Sequence, residues 1–396
     1  MSKQTRVVLV DCRLTGHHPA FLAKFCEAFL KFNCEVTVLV PCIETAKNLL
    51  HNIKSPNLPI EQLKFEKTNS ESIKQKFWIW SYYRLSMVDS EIKQIEKRNK
   101  QPFDLLFFPY LDDYSTRDLF VPYLLKLPLH LPFSGLLIST GKALPREKPN
   151  WKDRLRYSIL DSKTPFKQPI GILSEDRVEA VKQLMGTEPE LYPDFSIDSE
   201  LASSANPLVK KVVELSKGRK IVSLLGSISR RKNTELFLKM FENSSDEYFF
   251  LIAGRLRSHV FSDQLNQRLQ ELASNSDPRF HIHDDWINCE RVFNSLIHMS
   301  NIVFLHYKNF PDSSNVLTKC ALLKTPVIAP DKLLIADRVQ KFHLGYSVPQ
   351  SEAEDLLSKP IEWEFDEDRR KQFLQLHEIQ RLDDAIQRLL NGLSKK

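Results

Sequence analysis

Glycine is scarce in this sequence, and the glycine-rich phosphate motifs are missing with it. Only 10 of the 396 residues are glycine, and the loop after the first apolar run contains a single one, Gly16. Neither a GxGxxG fingerprint nor a Walker phosphate loop occurs, and a zinc-protease motif and a nucleophile elbow are absent as well. These absences argue against a dinucleotide-binding enzyme and against the hydrolases that those motifs mark.

Paired cysteines are missing too. The six cysteines stand singly and form no CxxC pair, so the sequence suggests neither a zinc site nor a disulfide framework. Most of them fall in apolar strand or helix patterns, and we expect reduced, buried thiols and a reducing, cytoplasmic compartment. They are Cys12, Cys26, Cys34, Cys42, Cys289 and Cys320.

Long apolar runs are also lacking. Nowhere do 18 apolar residues follow one another, which predicts that no helix spans a membrane. The apolar run near the N-terminus has four residues before Asp11 and is typical of a first strand rather than of a signal peptide. We therefore expect a soluble cytoplasmic protein and leave open a peripheral contact with the inner face of a membrane.

Charge of one sign is not concentrated anywhere. The net charge is +6 and the pI is near 8.8, but basic and acidic residues are spread evenly. This argues against a dedicated nucleic-acid-binding protein and fits an enzyme that handles anions locally. The most basic segment is 142–156, either a solvated loop or a surface for an anionic lipid or acceptor. The aromatic cluster at 77–83 also allows two interpretations, either a helix packed inside the domain or an acceptor groove or membrane-facing surface.

The order of apolar runs predicts two domains. Strand, loop, helix and strand follow one another within residues 6–40, which is a βαβ unit with a parallel crossover. The same alternation begins again at residue 220, and 396 residues suit two cores better than one. We predict an α/β fold with Rossmann-like doubly wound domains at 1–200 and 201–365, a linker within 190–207, and a C-terminal helix over 366–396.

Polar groups that could bind a ligand stand at the C-terminal ends of predicted strands, where open α/β sheets bind ligands. For each group a solvated surface is the competing explanation. The candidates are Gly16, His17 and His18 after the first strand; Gly226, Ser227, Arg230, Arg231 and Lys232 after KIVSLL; Gly254 and Arg255 after YFFLIA; Trp286 and Ile287 in DDWIN; and Ser313, Ser314, Asn315, Val316 and Lys319 in the segment 307–330.

Two of these groups carry the strongest anion signal. Three consecutive cations enter the helix predicted at Thr234, which is unfavourable for the helix dipole unless an anion binds there. Ser313, Ser314 and Asn315 are good N-cap residues and open another helix, whose N–H groups and dipole would also attract an anion.

With these residues assembled, the chain resembles the GT-B glycosyltransferases, especially the retaining, nucleotide-sugar-dependent branch. The similarity is best over about 220–350. There GSISRRKN resembles the GxxxxxKG phosphate loop, AGR the strand–glycine stretch, and 313–328 the donor motif that ends in (G/K)xPVI. TGHHPAFLAKFCEAFLKFNCEVTVL near the N-terminus is similar to the glycine loop, helix and second strand of the family.

The resemblance implies two Rossmann-like domains that face each other across a cleft. It places the donor mainly on the second domain and lets the final helix cross back to the first. Residues 45–200 match poorly, as expected for the half that recognises the acceptor. Family members normally need no cofactor beyond the nucleotide-sugar co-substrate.

The sequence departs from the family at the donor motif. Two glutamates eight positions apart normally face the leaving sugar and the ribose, but alignment on 326–328 puts Pro311 and Lys319 in their places. Ser227 stands where the family often has arginine, whereas Lys232 keeps its position. Serine and backbone N–H groups at 313–315 could substitute for the carboxylates.

The expected function is transfer of a sugar from a nucleoside-diphosphate sugar to an acceptor hydroxyl, with retention, without a metal, in polysaccharide or glycoconjugate synthesis. Lys232, Arg230, Arg231 and His17 are the expected catalytic residues, and the other candidates named above bind the donor. The acceptor is expected to be a carbohydrate or lipid-linked molecule. A non-catalytic GT-B subunit remains an alternative because both glutamates are lost, and an epimerase or hydrolase is a weaker one.

Overall fold

The computed structural model describes residues 4–14, 18–51, 53, 58–64, 80–114, 128–138, 168–194, 200–274 and 277–393. The chain forms two compact units. The first comprises residues 1–193 together with 379–396, and the second comprises Asp194–Glu378. Residues 379–396 are therefore part of the first unit although they follow the second in the sequence.

Strands and helices alternate along most of the described chain. The strands are β1 (Arg6–Val10), β2 (Glu35–Val40), β3 (Ile60–Gln62), β4 (Leu105–Phe108), β5 (Phe133–Leu137), β6 (Gly171–Ile172), β7 (Glu190–Leu191), β8 (Lys220–Leu225), β9 (Tyr248–Ala253), β10 (Phe280–His283), β11 (Ile302–Phe304), β12 (Val327–Ala329) and β13 (Gly345–Ser347). The α-helices are α1 (His18–Lys31), α2 (Ile43–Leu50), α3 (Trp80–Asn99), α4 (Val178–Met185), α5 (Pro207–Ser216), α6 (Thr234–Glu242), α7 (Asp263–Ser274), α8 (Glu290–Met299), α9 (Asn315–Leu322), α10 (Leu333–Phe342), α11 (Gln350–Ala353), α12 (Glu367–Gln375) and α13 (Ile379–Leu393).

The first unit is built on a seven-stranded parallel sheet in the order β3-β2-β1-β4-β5-β6-β7. Strand β1 lies between β2 and β4, and its Val8 is in register with Thr37 on one side and Leu106 on the other. All five residues of β1 are buried, because helices cover both faces of such a sheet; four are apolar, and the first, Arg6, pairs with Glu35 at 3.1 Å. The strand order reverses beside β1, which opens a crevice at the C-terminal ends of β1 and β4.

The second unit repeats this plan with a six-stranded parallel sheet in the order β10-β9-β8-β11-β12-β13. Alternate residues of β9 enter different cores: Phe249 and Leu251 pack on one face of the sheet, and Phe250 and Ile252 on the other. This explains why YFFLIA is apolar without interruption. The reversal in strand order lies between β8 and β11. The two sheets confirm the predicted α/β class with two doubly wound domains.

Several sequence-based boundaries were wrong. The linker predicted to begin at residue 190 instead starts with β7, the edge strand of the first sheet, and Tyr192 after it is buried. A strand of two residues is too short to show a period, so the pattern gave no signal. The apolar pattern of 129–138 fits a strand pair or a strand with a turn, and the structure has one strand there, Phe133–Leu137. The single helix predicted over 366–396 is two helices, α12 and α13.

Other expectations were met only in part. Cys26, Cys34 and Cys320 are buried as expected, but Cys42 and Cys289 are exposed. Both exposed cysteines directly precede a helix, where apolar neighbours in the sequence do not imply burial. The basic segment 142–156 and residues 77–79 of the aromatic cluster lie outside the described residues. Of the helices described, none is both long enough and apolar enough to cross a membrane.

Helix α13 should contribute measurably to the stability of the first unit. Its residue Leu382 is fully buried, the helix packs on α1, and the neighbouring Asp383 pairs with Lys31 of α1. We expect Leu382→Ala to destabilise this unit by about 3 kcal/mol, because a buried leucine is replaced by a cavity. Urea unfolding read by hydrogen exchange in α1 measures the effect.

The exposed Gln387 on the same helix provides the control for this truncation. Gln387→Ala should change the stability by less than about 0.5 kcal/mol. If both variants exchange in α1 at the same urea concentration, the packing of α13 does not stabilise the first unit.

Candidate functional site

The loops that follow β8, β9, β10 and β11 meet at one edge of the second sheet. Their strands are parallel and adjacent, so their C-terminal ends lie side by side. The reversal in strand order between β8 and β11 places the crevice of the sheet at Gly226 and Tyr307, shortly after these two strands. Most of the predicted donor residues belong to these loops.

The turns after β8 and β9 touch through two glycines. Gly226 has φ +95° and its N–H donates to the Ala253 carbonyl oxygen at 2.9 Å, while Gly254 has φ +132°. A Cβ at Gly254 would stand 2.0 Å from the Gly226 oxygen, so only glycine fits. Beyond the turns the two loops stay paired, because the Ile228 N–H donates to the Arg255 oxygen at 3.0 Å.

Exposed arginines line these paired loops. Arg230 and Arg231 are exposed in a 3-10 turn over Arg230–Lys232, and the Arg231 guanidinium lies 4.7 Å from the centre of the Phe310 ring. Arg255 is exposed after β9. Arg257 donates through Nε to the Ser227 hydroxyl at 2.9 Å, which brings a guanidinium to the position where the sequence has serine. Basic side chains therefore outnumber acidic ones at this edge, although Arg255 lies 3.9 Å from the Asp284 carboxylate.

Lys232 is the buried member of this cationic edge, with 4% of its surface exposed. Its Nζ donates to the Leu225 carbonyl oxygen at 2.9 Å and to the Tyr307 hydroxyl, and it lies 4.2 Å from the centre of the Tyr307 ring. Within the described part of the chain, no carboxylate lies within 4.0 Å of this nitrogen. Burial, with a smaller contribution from Arg231, holds the pKa of Lys232 well below its usual value.

Helix α9 begins beside this lysine. Ser314 is its N-cap residue, but the side chain forms no capping hydrogen bond and instead hydrogen-bonds to the Tyr307 hydroxyl. Asn315 and Val316 in the first turn are partly exposed. Tyr307 thus links the buried amine to the start of a helix, whose N-terminal N–H groups favour an anion.

Ser313 is engaged in a buried polar network. Its hydroxyl donates to an Asp194 carboxylate oxygen and accepts a hydrogen bond from Arg338 of α10. Asp194 and Arg338 are buried, and the Asp194 N–H donates to the His377 ring at 3.0 Å. This network holds the loop before α9 in place. Contact of Ser313 with a donor stays a prediction, and the structure gives its hydroxyl a second, internal function.

Lys319 joins α9 to α8. It is 6% exposed, and its Nζ pairs with a Glu290 carboxylate oxygen and donates to the Asn294 side-chain oxygen at 3.1 Å. Glu290 is the first residue of α8, and its side chain is 40% exposed. The lysine that replaces the family glutamate therefore has a carboxylate partner from a neighbouring helix.

The loop between β10 and α8 exposes an aromatic ring. Trp286 is 52% exposed, whereas Ile287 after it packs partly against the core of the unit. The Asp284 carboxylate accepts from the Leu256 N–H at 2.7 Å and fixes the start of this loop to the loop after β9. An exposed indole on an anchored loop can stack on a planar ligand.

In the first unit, His18 lies at the reversal point of its own sheet. Its Nδ1 lies 2.8 Å from an Asp11 carboxylate oxygen, its ring stacks on Tyr110 at 4.0 Å, and its Nε2 is 3.8 Å from Asp113. His18 and Asp11 are buried, and burial raises the pKa of the Asp11 carboxyl. Gly16 and His17, the other candidates of this loop, lie outside the described residues.

Four residues that contact predicted site residues were not themselves predicted from the sequence. Tyr307, Glu290, Asp194 and Asp11 were not assigned a role, although each contacts a predicted site residue. A signal existed for Asp11, which directly follows β1, and for Tyr307, which follows β11. The partners Glu290 and Asp194 come from distant sequence positions, and no local pattern indicates them.

Comparisons with known proteins identify the fold. No family model and no curated protein matches the sequence. HepE of Anabaena in complex with UDP and glucose superposes with a TM-score of 0.67, at 13% identity over 98% of this chain and 100% of that one. A trehalose 6-phosphate synthase of Burkholderia multivorans gives 0.67 at 12% identity, over 99% of both chains. A sucrose-phosphate synthase of Thermosynechococcus elongatus gives 0.64 at 14% identity, over 99% of this chain and 100% of that one.

These neighbours share the fold that the sequence resemblance implied. The chain has the GT-B glycosyltransferase fold, with a parallel sheet of seven strands in one unit and of six in the other. At 12–14% identity the likeness concerns the fold and does not transfer an activity.

Substitution of Gly254 tests the close approach of the two turns. We expect Gly254→Ala to lower the stability of the second unit by about 3 kcal/mol, because the new Cβ collides with the Gly226 carbonyl oxygen and φ is positive. Gly218→Ala is the matched control in the same unit, since φ is also positive there (+79°) but nothing lies within 4 Å of a Cβ. It should cost about 1 kcal/mol, from the backbone conformation alone. Similar urea midpoints for both would contradict the close contact.

Replacement of Lys232 by methionine should stabilise the second unit at neutral pH. Because burial lowers the pKa of this amine, charging it costs free energy in the folded state that it does not cost in the unfolded chain. The full cost applies at pH values below the pKa of Lys232 in the folded state. It disappears as the pH rises towards about 10.4, the ordinary pKa of lysine. We expect Lys232→Met to gain about 1 kcal/mol at pH 7.

Urea unfolding at several pH values measures this gain, which should shrink between pH 7 and pH 10. Lys210→Met serves as the control because Lys210 is exposed on α5. A stability difference between Lys232→Met and the wild type that does not vary with pH would show that the charge on Lys232 is not the destabilising factor.

Proposed function

We propose that the protein is a glycosyltransferase that moves a sugar from a nucleoside-diphosphate sugar to an acceptor hydroxyl. The observation that carries this is the environment of Lys232, a buried cation with neutral partners at the reversal point of the second sheet. A buried charge without a counter-charge is costly, and a bound anion would offset that cost. The exposed Arg230 and Arg231 make the same place attractive to a diphosphate.

The donor would bind with its diphosphate between these cations and the start of α9. Lys232 and one arginine supply positive charge, and the N-terminal N–H groups of α9 supply donors that are already oriented. Gly226, which carries no side chain and lies next to Lys232, would let the diphosphate approach the backbone. Trp286 would stack on the base, and Arg255 would add charge at the rim of the site.

The proposed reaction is a displacement at the anomeric carbon of the donor sugar. The bond from that carbon to the diphosphate oxygen breaks, and a bond to the acceptor oxygen forms. The acceptor proton passes to the departing phosphate oxygen on the same face, which gives retention without a protein nucleophile. The cations stabilise the charge that develops on the diphosphate, so the proposed mechanism uses no metal.

The choice of substrates is supported by the neighbours of the fold. HepE of Anabaena was solved with UDP and with UDP-glucose. A uridine-diphosphate hexose is therefore the first donor to test. We propose a carbohydrate or lipid-linked acceptor that is recognised by the first unit, where His18 and its acidic partners would face the acceptor.

Binding of UDP to the purified protein tests the donor site. We expect Lys232→Met to weaken UDP binding about 100-fold in calorimetric titration, because the buried amine pairs directly with the diphosphate. The affinity of the wild type should fall as the pH rises above neutrality, since the lysine must be protonated to pair. Lys210→Met should bind as the wild type does. Unchanged UDP affinity in Lys232→Met would overturn the assignment of the site.

Release of UDP from UDP-sugars separates an enzyme from a non-catalytic subunit. The wild type should release UDP from at least one UDP-hexose in the presence of carbohydrate acceptors, and Lys232→Met should not. Tight binding of UDP-sugars without release across a wide panel of acceptors would favour a subunit that binds the donor without turnover.

A further inference from the structure

Glu290 is an anchored carboxylate with a free oxygen. One of its oxygens pairs with Lys319, which is buried and held a second time by Asn294. Apart from Lys319, no described residue donates a hydrogen bond or brings a cation to the second oxygen of Glu290. The Glu290 side chain is 40% exposed, so this oxygen is accessible to a ligand. A flexible surface glutamate would not be fixed in this way.

The first turn of α8 lies beside the cationic edge. The point where a Cβ of Gly226 would stand is 3.9 Å from Lys232 Nζ and 4.0 Å from the ring of Phe293. Phe293 follows Glu290 by three residues, so the two side chains lie on the same face of the helix. Lys232 is also linked through the Tyr307 hydroxyl to Ser314, the N-cap of the helix α9 that carries Lys319.

The exposed indole of Trp286 lies in the loop that leads into Glu290. An aromatic ring, a carboxylate acceptor and a cationic pocket thus occur together within the second unit. These match the three parts of a nucleoside diphosphate, in which the ribose, with its two free hydroxyl groups, lies between the base and the diphosphate. Lysine has three donors and no acceptor, so Lys319 itself cannot bind hydroxyl protons, whereas the free Glu290 oxygen can.

We infer that Glu290 binds the ribose hydroxyls of the donor nucleotide and that Lys319 positions it. The inference rests on the function proposed above, because it assigns a further part of the same donor. Glu290 contacts the ligand and sets the preference for ribose over deoxyribose. Lys319 acts through Glu290, since its amine fixes one carboxylate oxygen and leaves the other to accept.

The test compares UDP with 2′-deoxy-UDP in calorimetric titration. The wild type should bind UDP about tenfold more tightly, because a hydrogen bond to a charged acceptor is lost in the deoxynucleotide. Glu290→Gln should bring the ratio of the two affinities close to one. Lys319→Met should lower the ratio as well, and Lys319→Arg should restore it because arginine can still hold the carboxylate.

Two controls separate this inference from the proposed function. Lys232→Met should weaken both nucleotides without changing their ratio, and Glu214→Gln, on the exposed α5, should change neither affinity. A wild type that binds both nucleotides equally, or a Glu290→Gln variant that keeps the full ratio, overturns the inference and leaves the donor site standing. A wild type that binds neither nucleotide overturns the proposed function and the inference with it. Should Lys319→Met not fold, Glu290→Gln decides alone, since its side chain is partly exposed.

Discussion

The hydrogen bonds of Lys232 to the Leu225 carbonyl oxygen and the Tyr307 hydroxyl connect the two strands between which the second sheet reverses its order. Leu225 ends β8, and Tyr307 follows β11. One buried amine therefore fixes both sides of the crevice. Its neutral partners do not fully compensate a charge on the amine, so protonation carries a desolvation cost that lowers the pKa of Lys232. The fold itself therefore holds this amine dehydrated and oriented.

The class of the fold could be predicted from the sequence, and its short elements could not. Strands β8 and β9 have six residues each, most of them apolar and buried, so their patterns are easy to recognise in the sequence. In contrast, β6 and β7 have two residues each, and their place in the sheet depends on hydrogen bonds to neighbouring strands. Whether so short a segment forms a strand depends on its pairing with other strands, and the local sequence does not contain that information.

The same limit applies to the candidate site. The position of Lys232 after β8 could be predicted, because a glycine turn followed by cations is a local pattern. Its partner Tyr307 lies 75 residues further along the chain. Glu290 and Asp194, which pair with Lys319 and Ser313, are separated from them by 29 and 119 residues. The sequence shows that a polar side chain stands next to the start of a helix, and so which groups it could bind. Only the fold shows which group it contacts.

These partners change how the loss of the two motif glutamates is understood. At position 319 the sign of the charge is reversed, yet the neighbouring helix places a carboxylate against the lysine, so the pair is close to neutral and keeps an acidic oxygen at the surface. At the other end of the loop, Ser313 binds Asp194 and Arg338 and so orders the approach to α9. Lys319 and Ser313 are both embedded in polar contacts, so loss of either partner would leave a buried polar group unpaired. The segment from Ser313 to Lys319 is therefore held by polar partners from other parts of the second unit.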